Sequence, residues 1–197
     1  MILGMFRHRH HLAAGAFAIA LAVGPSGTRA QQLDYDAIAK RPGYTVTKTI
    51  EDGREVVRIR KETVLIVIDS KGMMGIDRAD AVLCFWELYV KLKVGADYCF
   101  PDSERELKED SADAVERFKD FIVANSLTPV TRDSLDAYVE RQRAELASRG
   151  PKTATGQPHC TKLDFFEYFQ TAGRDKRRAD VAKILAVPRP PVMNPCL

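Results

Sequence analysis

The sequence predicts an α+β fold, and a change of hydrophobic period along the chain carries that prediction. Residues 44–69 contain alternating or continuous runs of β-branched side chains, which are typical of strands. From about residue 77 onward, apolar residues recur at helical spacing. We therefore expect a small, three-stranded, mainly antiparallel sheet over about 44–69. It should pack on a buried helix over about 77–94, with three or four helices following.

The first two strands are expected to form a hairpin. Alternating segments over Tyr44–Ile50 and Glu55–Arg60 flank Asp52-Gly53, a dipeptide that favours a two-residue type I′ turn. That turn sets Ile50 opposite Glu55. The residues expected on the buried face are Tyr44, Val46, Ile50, Val57 and Ile59.

The third strand and the buried helix follow in the sequence. Val64–Ile68 is a continuous apolar run, which predicts a strand buried on both faces in the middle of the sheet. Asp77 and Asp80 place acidic groups where a helix has its positive end, so we expect the helix to begin there. Its apolar stripe is wide enough to predict burial nearly all round, and Gly95 is expected to end it.

The second half of the chain is predicted to be helical. Ser103 and Glu106 have the spacing of a capping box, which would begin a helix. Thr131 is expected to cap the next helix and Gly150-Pro151 to end it. The predicted helices span about 103–126, 131–150, 163–169 and 174–187.

Residues 1–30 have the three parts of a secretory signal peptide. A basic start precedes the apolar run Leu12–Gly24, and small residues close the segment. The apolar run is shorter than the roughly 20 residues of a spanning helix. We therefore expect cleavage after Ala30, a single domain over 31–197, and an exported product that is periplasmic or secreted.

Charge argues against nucleic acid as a partner. The chain has 30 Lys and Arg residues, 27 Asp and Glu residues and a formal net charge of +3. Three arginines, Arg7, Arg9 and Arg29, lie in the expected leader, so the remainder is neutral. A neutral chain of mixed signs has no bulk field to hold nucleic acid or an anionic membrane. We expect neither a nucleic-acid partner nor a membrane span after residue 30.

Four cysteines predict two disulfides in an oxidising compartment. Three pairings are possible, and we favour Cys84–Cys99 and Cys160–Cys196. The first pairing closes a short loop, and the second would pin the proline-rich C-terminal tail. No C-x-x-C motif and no zinc-like Cys/His spacing occurs, so the expectation is no metal and no cofactor.

Three carboxylates are candidate catalytic residues. Asp69 ends an apolar strand before a small-residue turn, a common place for a functional ligand, although a simple strand end is the alternative. Asp77 lies where that turn meets the expected helix. Glu87 is the one acid in an apolar context, and it needs a partner if it is buried rather than at a wet helix edge. His159 is the only histidine after residue 30, which excludes a histidine-rich zinc site.

One basic cluster is a candidate binding patch for an anionic ligand or another protein. It sits at a helix start, where the macrodipole disfavours cations. A solvated face is the alternative, and it is also the interpretation of the acidic cluster over residues 104–113. The patch comprises Arg174, Lys176, Arg177 and Arg178.

These observations favour a non-enzymatic accessory or interaction module of a bacterial-type cell envelope. The sequence displays no catalytic constellation, metal-ligand spacing or cofactor loop. Two alternatives stay open. One is an exported hydrolase that uses Asp69, Asp77 or Glu87, and the other is a carrier that binds a small apolar ligand between the sheet and the helix over 163–169.

Overall fold

The computed structural model describes residues 33–150 and 171–196, together with Lys152, Gly156, Cys160 and Phe169. The expected leader, His159 and all of the predicted helix 163–169 except Phe169 lie outside these residues.

Strands dominate the first half of the described chain and helices the second, which confirms the α+β class. A short helix precedes the strands, and three helices follow the first long one within the described residues, where the sequence predicts three or four. The elements are α1 Tyr35–Ala39, β1 Thr45–Glu51, β2 Arg54–Lys61, β3 Val64–Asp69, β4 Gly72–Asp77, α2 Val82–Cys99, α3 Arg105–Asn125, α4 Arg132–Arg149 and α5 Arg174–Ile184.

The hairpin of β1 and β2 has the predicted register. Ile50 pairs with Glu55 and Val46 pairs with Ile59. Asp52 and Gly53 have φ values of 50° and 74°, as a type I′ turn requires. The turn residues and the alternation of the strands therefore fix this register together.

The sheet has four antiparallel strands in the order β1-β2-β3-β4, where three were predicted. The missed strand, β4, contains Gly72 and Gly75, and glycine is depleted in strands. The chain turns back after Asp69 and runs along β3. Asp77 consequently ends a strand instead of beginning a helix, and α2 begins only at Val82.

β3 lies inside the sheet as predicted, but only one of its faces carries fully buried side chains. Val64 and Ile66 are buried, whereas Leu65 and Val67 are half-buried. Ile50, expected on the buried face, is 72% exposed because it lies beside the hairpin turn, away from the sheet's core. The prediction of two-sided burial was therefore wrong.

Two of the predicted helix ends are wrong. α2 continues through the buried Gly95 to Cys99. α3 begins after Glu104, whose φ is 54° and whose side chain makes no capping hydrogen bond, so no capping box forms. Thr131 does cap α4, because its Oγ1 accepts a hydrogen bond from the Ser134 amide at 3.2 Å.

The buried side chains form two clusters. The helical cluster lies among α2, α3, α4 and α5 and includes Trp86 and Phe118. In the sheet cluster, Ile38 of α1 and Val192 of the C-terminal tail pack with buried residues of β2 and β3. The packing partner of the sheet is therefore α1 and the tail, not the predicted helix over 77–94. The sheet residues in this cluster are Val57, Ile59, Val64 and Ile66.

The C-terminal tail, residues 185–196, joins the two clusters, and we call it the strap. The amide of Leu83 in α2 donates to the carbonyl of Val192 at 3.1 Å. The amide of Asp77 in β4 donates to the carbonyl of Asn194 at 2.8 Å. Val192 sits against Gly75, where a Cβ would lie 2.4 Å from Val192 Cγ1. The second glycine of β4 is therefore needed for the strap to approach.

The disulfides are Cys84–Cys196 and Cys99–Cys160, with Cα–Cα distances of 5.3 Å and 5.6 Å. The predicted count is correct and the predicted pairing is wrong. Cys84 and Cys99 lie at opposite ends of α2, one helix of 18 residues, so they cannot meet. Cys84–Cys196 fastens the end of the strap to the start of α2.

We expect peptide mapping of the unreduced protein to recover two linked species. One should join the peptides that contain Cys84 and Cys196, and the other those that contain Cys99 and Cys160. A reduced and alkylated sample is the control. A peptide linking Cys84 to Cys99 would contradict the packing of the strap on α2.

Gly75→Ala should destabilise the protein by about 1–3 kcal/mol, the usual range for overpacking a core. The cause is the clash of the new Cβ with Val192, whose side chain is buried. Urea unfolding measures the loss. Val192→Ala alone is the matched control, and the double variant should be more stable than the sum of the two losses implies. Strict additivity would mean that the two residues do not meet.

Candidate functional site

Asp69 and Asp77 are far apart. They lie at opposite ends of the β3–β4 hairpin, where Asp69 pairs with Gly72 and Asp77 pairs with Val64. Five residue steps along a strand separate the ends by about 17 Å. The carboxylate of Asp69 accepts a hydrogen bond from the Lys71 amide at 2.7 Å, which is the geometry of a turn.

Asp77 has a full set of structural partners. The side chain is completely buried and accepts hydrogen bonds from Thr63 Oγ1 at 2.6 Å and from the Ala79 amide at 3.0 Å. Its other oxygen accepts from Arg189 Nε at 2.5 Å, and Arg189 is itself buried. Buried charges are retained where they are paired and hydrogen-bonded, and this arrangement meets both conditions.

Glu87 is half-buried and has a partner. The hydroxyl of Tyr138 in α4 donates to Glu87 Oε1 at 2.8 Å, and Lys91 Nζ lies 3.7 Å from Oε2. Burial, and then the hydrogen bond and charge of Glu87, raise the pKa of Tyr138 above its ordinary value. Tyr138 is thus a neutral donor across the physiological pH range, and the contact fixes α4 on α2.

The structure does not bring the three candidate acids together. Asp69 and Asp77 occupy opposite ends of one hairpin, and Glu87 lies on α2 beside α4. Among the described residues there is no group of three or more side chains able to hold a metal ion. No described helix is both long and apolar enough to cross a membrane.

Three of the four residues of the predicted basic patch contact α3. Arg177 is buried, and its Nη2 lies 2.6 Å from Asp110 Oδ2 and 2.9 Å from Glu106 Oε1. Arg174 and Arg178 donate to the other Asp110 oxygen at 3.0 Å and 3.2 Å. Lys176 pairs with Asp180 within α5. An anionic ligand would have to compete with these carboxylates.

Asp110 is a residue whose role the sequence did not reveal. It was interpreted as part of a solvated acidic face, yet its side chain is almost fully buried. Burial alone would raise the pKa of Asp110, but hydrogen bonds and charges from Arg177 and Arg174 lower it overall. The carboxylate therefore stays ionised and holds α5 on α3.

The outer face of the sheet, opposite the strap, is a second candidate surface. The strand register aligns side chains of this face in two rows across the four strands. Each row contains a threonine, an arginine and two apolar residues, in that order. The first row is Thr45, Arg60, Leu65 and Ile76, and the second is Thr47, Arg58, Val67 and Met74.

Two of the apolar side chains on this face are exposed. We call Leu65, Val67, Met74 and Ile76 the apolar strip; Met74 is 52% exposed and Ile76 is 36% exposed. Arg58 on its border is held by Glu51, with Nη2 2.9 Å from Oε2. Arg60 is exposed and has no ion pair with any residue that the structure describes. The strip therefore has a positively charged border on one side.

Sequence reasoning missed the strip because it did not predict β4. The available signal was weak, namely the alternation of Met74 and Ile76 with Gly75 and Asp77 after a short polar turn. Comparison with protein-family models, curated proteins and solved structures finds no match for this chain.

Asp110→Ala should lower the free energy of unfolding at pH 7 by about 3 kcal/mol or more, because it leaves the buried Arg177 short of a charged partner. The folded-state pKa of Asp110 is below its unfolded value of about 3.9, so its stabilisation is present above pH 4. It is lost as the pH falls through the lower folded value. Denaturant unfolding across pH 2–7 should therefore show the two proteins converging in acid.

Asp113→Ala is the matched control for this measurement. Asp113 lies on the same helix but is exposed, and its nearest cation, Arg117, is 4.0 Å away. Its loss should cost well under 1 kcal/mol at any pH. Equal costs for the two variants at pH 7 would show that the Asp110 network adds nothing to stability.

Proposed function

We propose that this chain is an exported accessory protein of a cell envelope that acts by binding another protein through the outer face of its sheet. The observation that carries the proposal is the apolar strip, which exposes Met74 and Ile76 on an otherwise ordered sheet. Exposed apolar side chains that form a contiguous patch are typical of interaction sites.

Export is supported by the leader-like residues 1–30 and by the two disulfides, which persist in oxidising compartments. The choice between periplasm and secretion stays a prediction. Binding is favoured over hydrolysis because Asp77 is committed to Arg189 and Asp69 to its turn, so neither carboxylate is free for acid–base chemistry.

The strip also indicates the chemistry of the partner. Its apolar residues require an apolar segment of comparable size, since that is what removes them from water. Arg60 borders the strip beside Leu65 and is exposed without an ion pair among the described residues. We expect the partner to place an acidic residue next to its apolar contact, because complementary charge sets register and specificity.

A photo-crosslinking residue at Met74 should form a covalent adduct with the partner in the native envelope. The matched control is the same residue at Met73, which is 63% exposed but points to the opposite face of β4, where it pairs with Ile68. We expect the adduct at position 74 and none at position 73. Equal adducts at both positions, or none at either, would refute binding through this face.

The affinity of the partner gives a second measurement. Met74→Lys places a charge in the apolar contact and should weaken binding at least about tenfold, or about 1.4 kcal/mol. Met73→Lys should leave the affinity unchanged. Far-ultraviolet circular dichroism of both variants checks that the sheet is intact.

A further inference from the structure

The outer edge of β1 is an unpaired strand edge. β1 is at one end of the sheet order, and none of its outward backbone groups hydrogen-bonds to another described residue between Thr45 and Glu51. The opposite edge is different, because the strap contacts β4 where the Asp77 amide donates to Asn194. Among the described strands, β1 is thus the one whose full length is an unpaired edge.

The hairpin decides which groups point outward. In a two-residue type I′ hairpin the closing residues, here Glu51 and Arg54, exchange hydrogen bonds, and every second pair along the ladder does the same. Thr45, Thr47 and Thr49 therefore bond to β2. The amide and carbonyl groups that face outward are those of Val46, Lys48 and Ile50.

Within β1 itself, two of the usual devices that protect a sheet edge are missing. Natural sheets blunt an edge with proline, a bulge or a lysine that projects from it. β1 has neither proline nor a bulge in its register. Its one lysine, Lys48, lies with Nζ 5.2 Å from the ring centroid of Tyr35 in α1. The ammonium is therefore drawn toward α1 rather than left to guard the edge.

The charges along the edge favour a second copy of this chain as the pairing strand. Arg41 precedes β1 and Asp52 follows it, so the edge has a positive charge at its start and a negative charge at its end, whereas Glu51 is already paired with Arg58. An antiparallel strand of the same sequence brings Arg41 of each copy near Asp52 of the other. A parallel copy would bring like charges together. The edge is therefore complementary to a second copy of itself.

The hydrogen-bonding positions restrict the register. The backbone amide and carbonyl groups that point outward from one copy must pair with those that point outward from the other. A two-fold axis at Thr47 meets this condition, because it sets Val46 opposite Lys48 and Tyr44 opposite Ile50. An axis at Lys48 would place two ammonium groups directly opposite, which is destabilising. The Thr47 register covers Ile50, which is 72% exposed in one copy, with the Tyr44 ring of the other.

We propose that two copies of this chain pair antiparallel through β1 about Thr47, which joins two four-stranded sheets into one of eight strands. The inference does not rest on the proposed function, because the β1 edge and the apolar strip are different surfaces. Each can fail while the other holds.

The test is the oligomeric state of the exported protein. Sedimentation across micromolar to millimolar concentration should show a dimer for the wild type. Lys48→Pro removes one outward amide without touching the β1–β2 ladder, so it should weaken the dimer at least about tenfold while the monomer stays folded. Lys48→Thr keeps the amide and should still dimerise. A wild-type monomer throughout this range, or a dimer indifferent to Lys48→Pro, would overturn the proposal.

Two further readouts keep the test decisive if Lys48→Pro fails to fold. Ile50→Asp alters only an exposed side chain and should also weaken the dimer about tenfold, through loss of the contact with Tyr44. Amide exchange should slow with protein concentration at Val46, Lys48 and Ile50, but not at the intervening threonines. Exchange at Val46, Lys48 and Ile50 that does not depend on concentration, or equal slowing at Thr47 and Thr49, would refute the register.

Discussion

The ion pair of Asp77 and Arg189 is the contact on which the arrangement of the two clusters depends. Arg189 bonds to the Asp77 carboxylate and also donates to the carbonyls of Asp80, Ile184 and Val187, at 2.7–3.1 Å. These contacts reach the end of β4, the segment before α2 and the end of α5. Because both ions are buried, loss of either would leave an uncompensated charge that costs several kcal/mol.

The strap acts together with this pair. Arg189 positions the strap beside β4, Val192 then packs on Gly75 and Ile66, and Cys196 closes the bond to Cys84. The strap thereby covers the inner face of the sheet, a role for which the sequence predicted a helix. The described elements that pack on the sheet, α1 and the strap, contact its inner face, and Met74 and Ile76 are exposed on the outer face.

The features that could be predicted from the sequence depend on residues that are close together in the chain. The hairpin register follows from Asp52-Gly53 and the alternation on each side, all within a few residues. The end of α4 and its Thr131 cap are local in the same way. The partners of Asp77, Asp110 and Cys84 are not, because Arg189, Arg177 and Cys196 lie 112, 67 and 112 residues away.

Local ambiguity explains the specific errors. An acidic residue before an apolar helical run looks the same whether it faces a helix N-terminus or ends a strand, so Asp77 was misassigned. In the sequence, the arginines of α5 and the acidic residues of α3 each have the pattern of a solvent-exposed helix face. The contact between the two helices, which buries Arg177 and Asp110, is visible only in the structure. Glycines in β4 lower strand propensity, yet Gly75 is required there because Val192 occupies the space of its Cβ.

The two proposed surfaces reinforce each other geometrically. Antiparallel pairing through β1 continues the sheet in its own plane, so both outer faces lie on the same side. Threonines of β1 would then meet at the centre, flanked by the arginines of β2 and by an apolar strip at each end. Five strand spacings would separate the two β3 strands, roughly 24 Å at 4.8 Å each. Such a dimer would offer a partner two identical sites, and simultaneous engagement of both would raise the overall affinity without any new contact within either site.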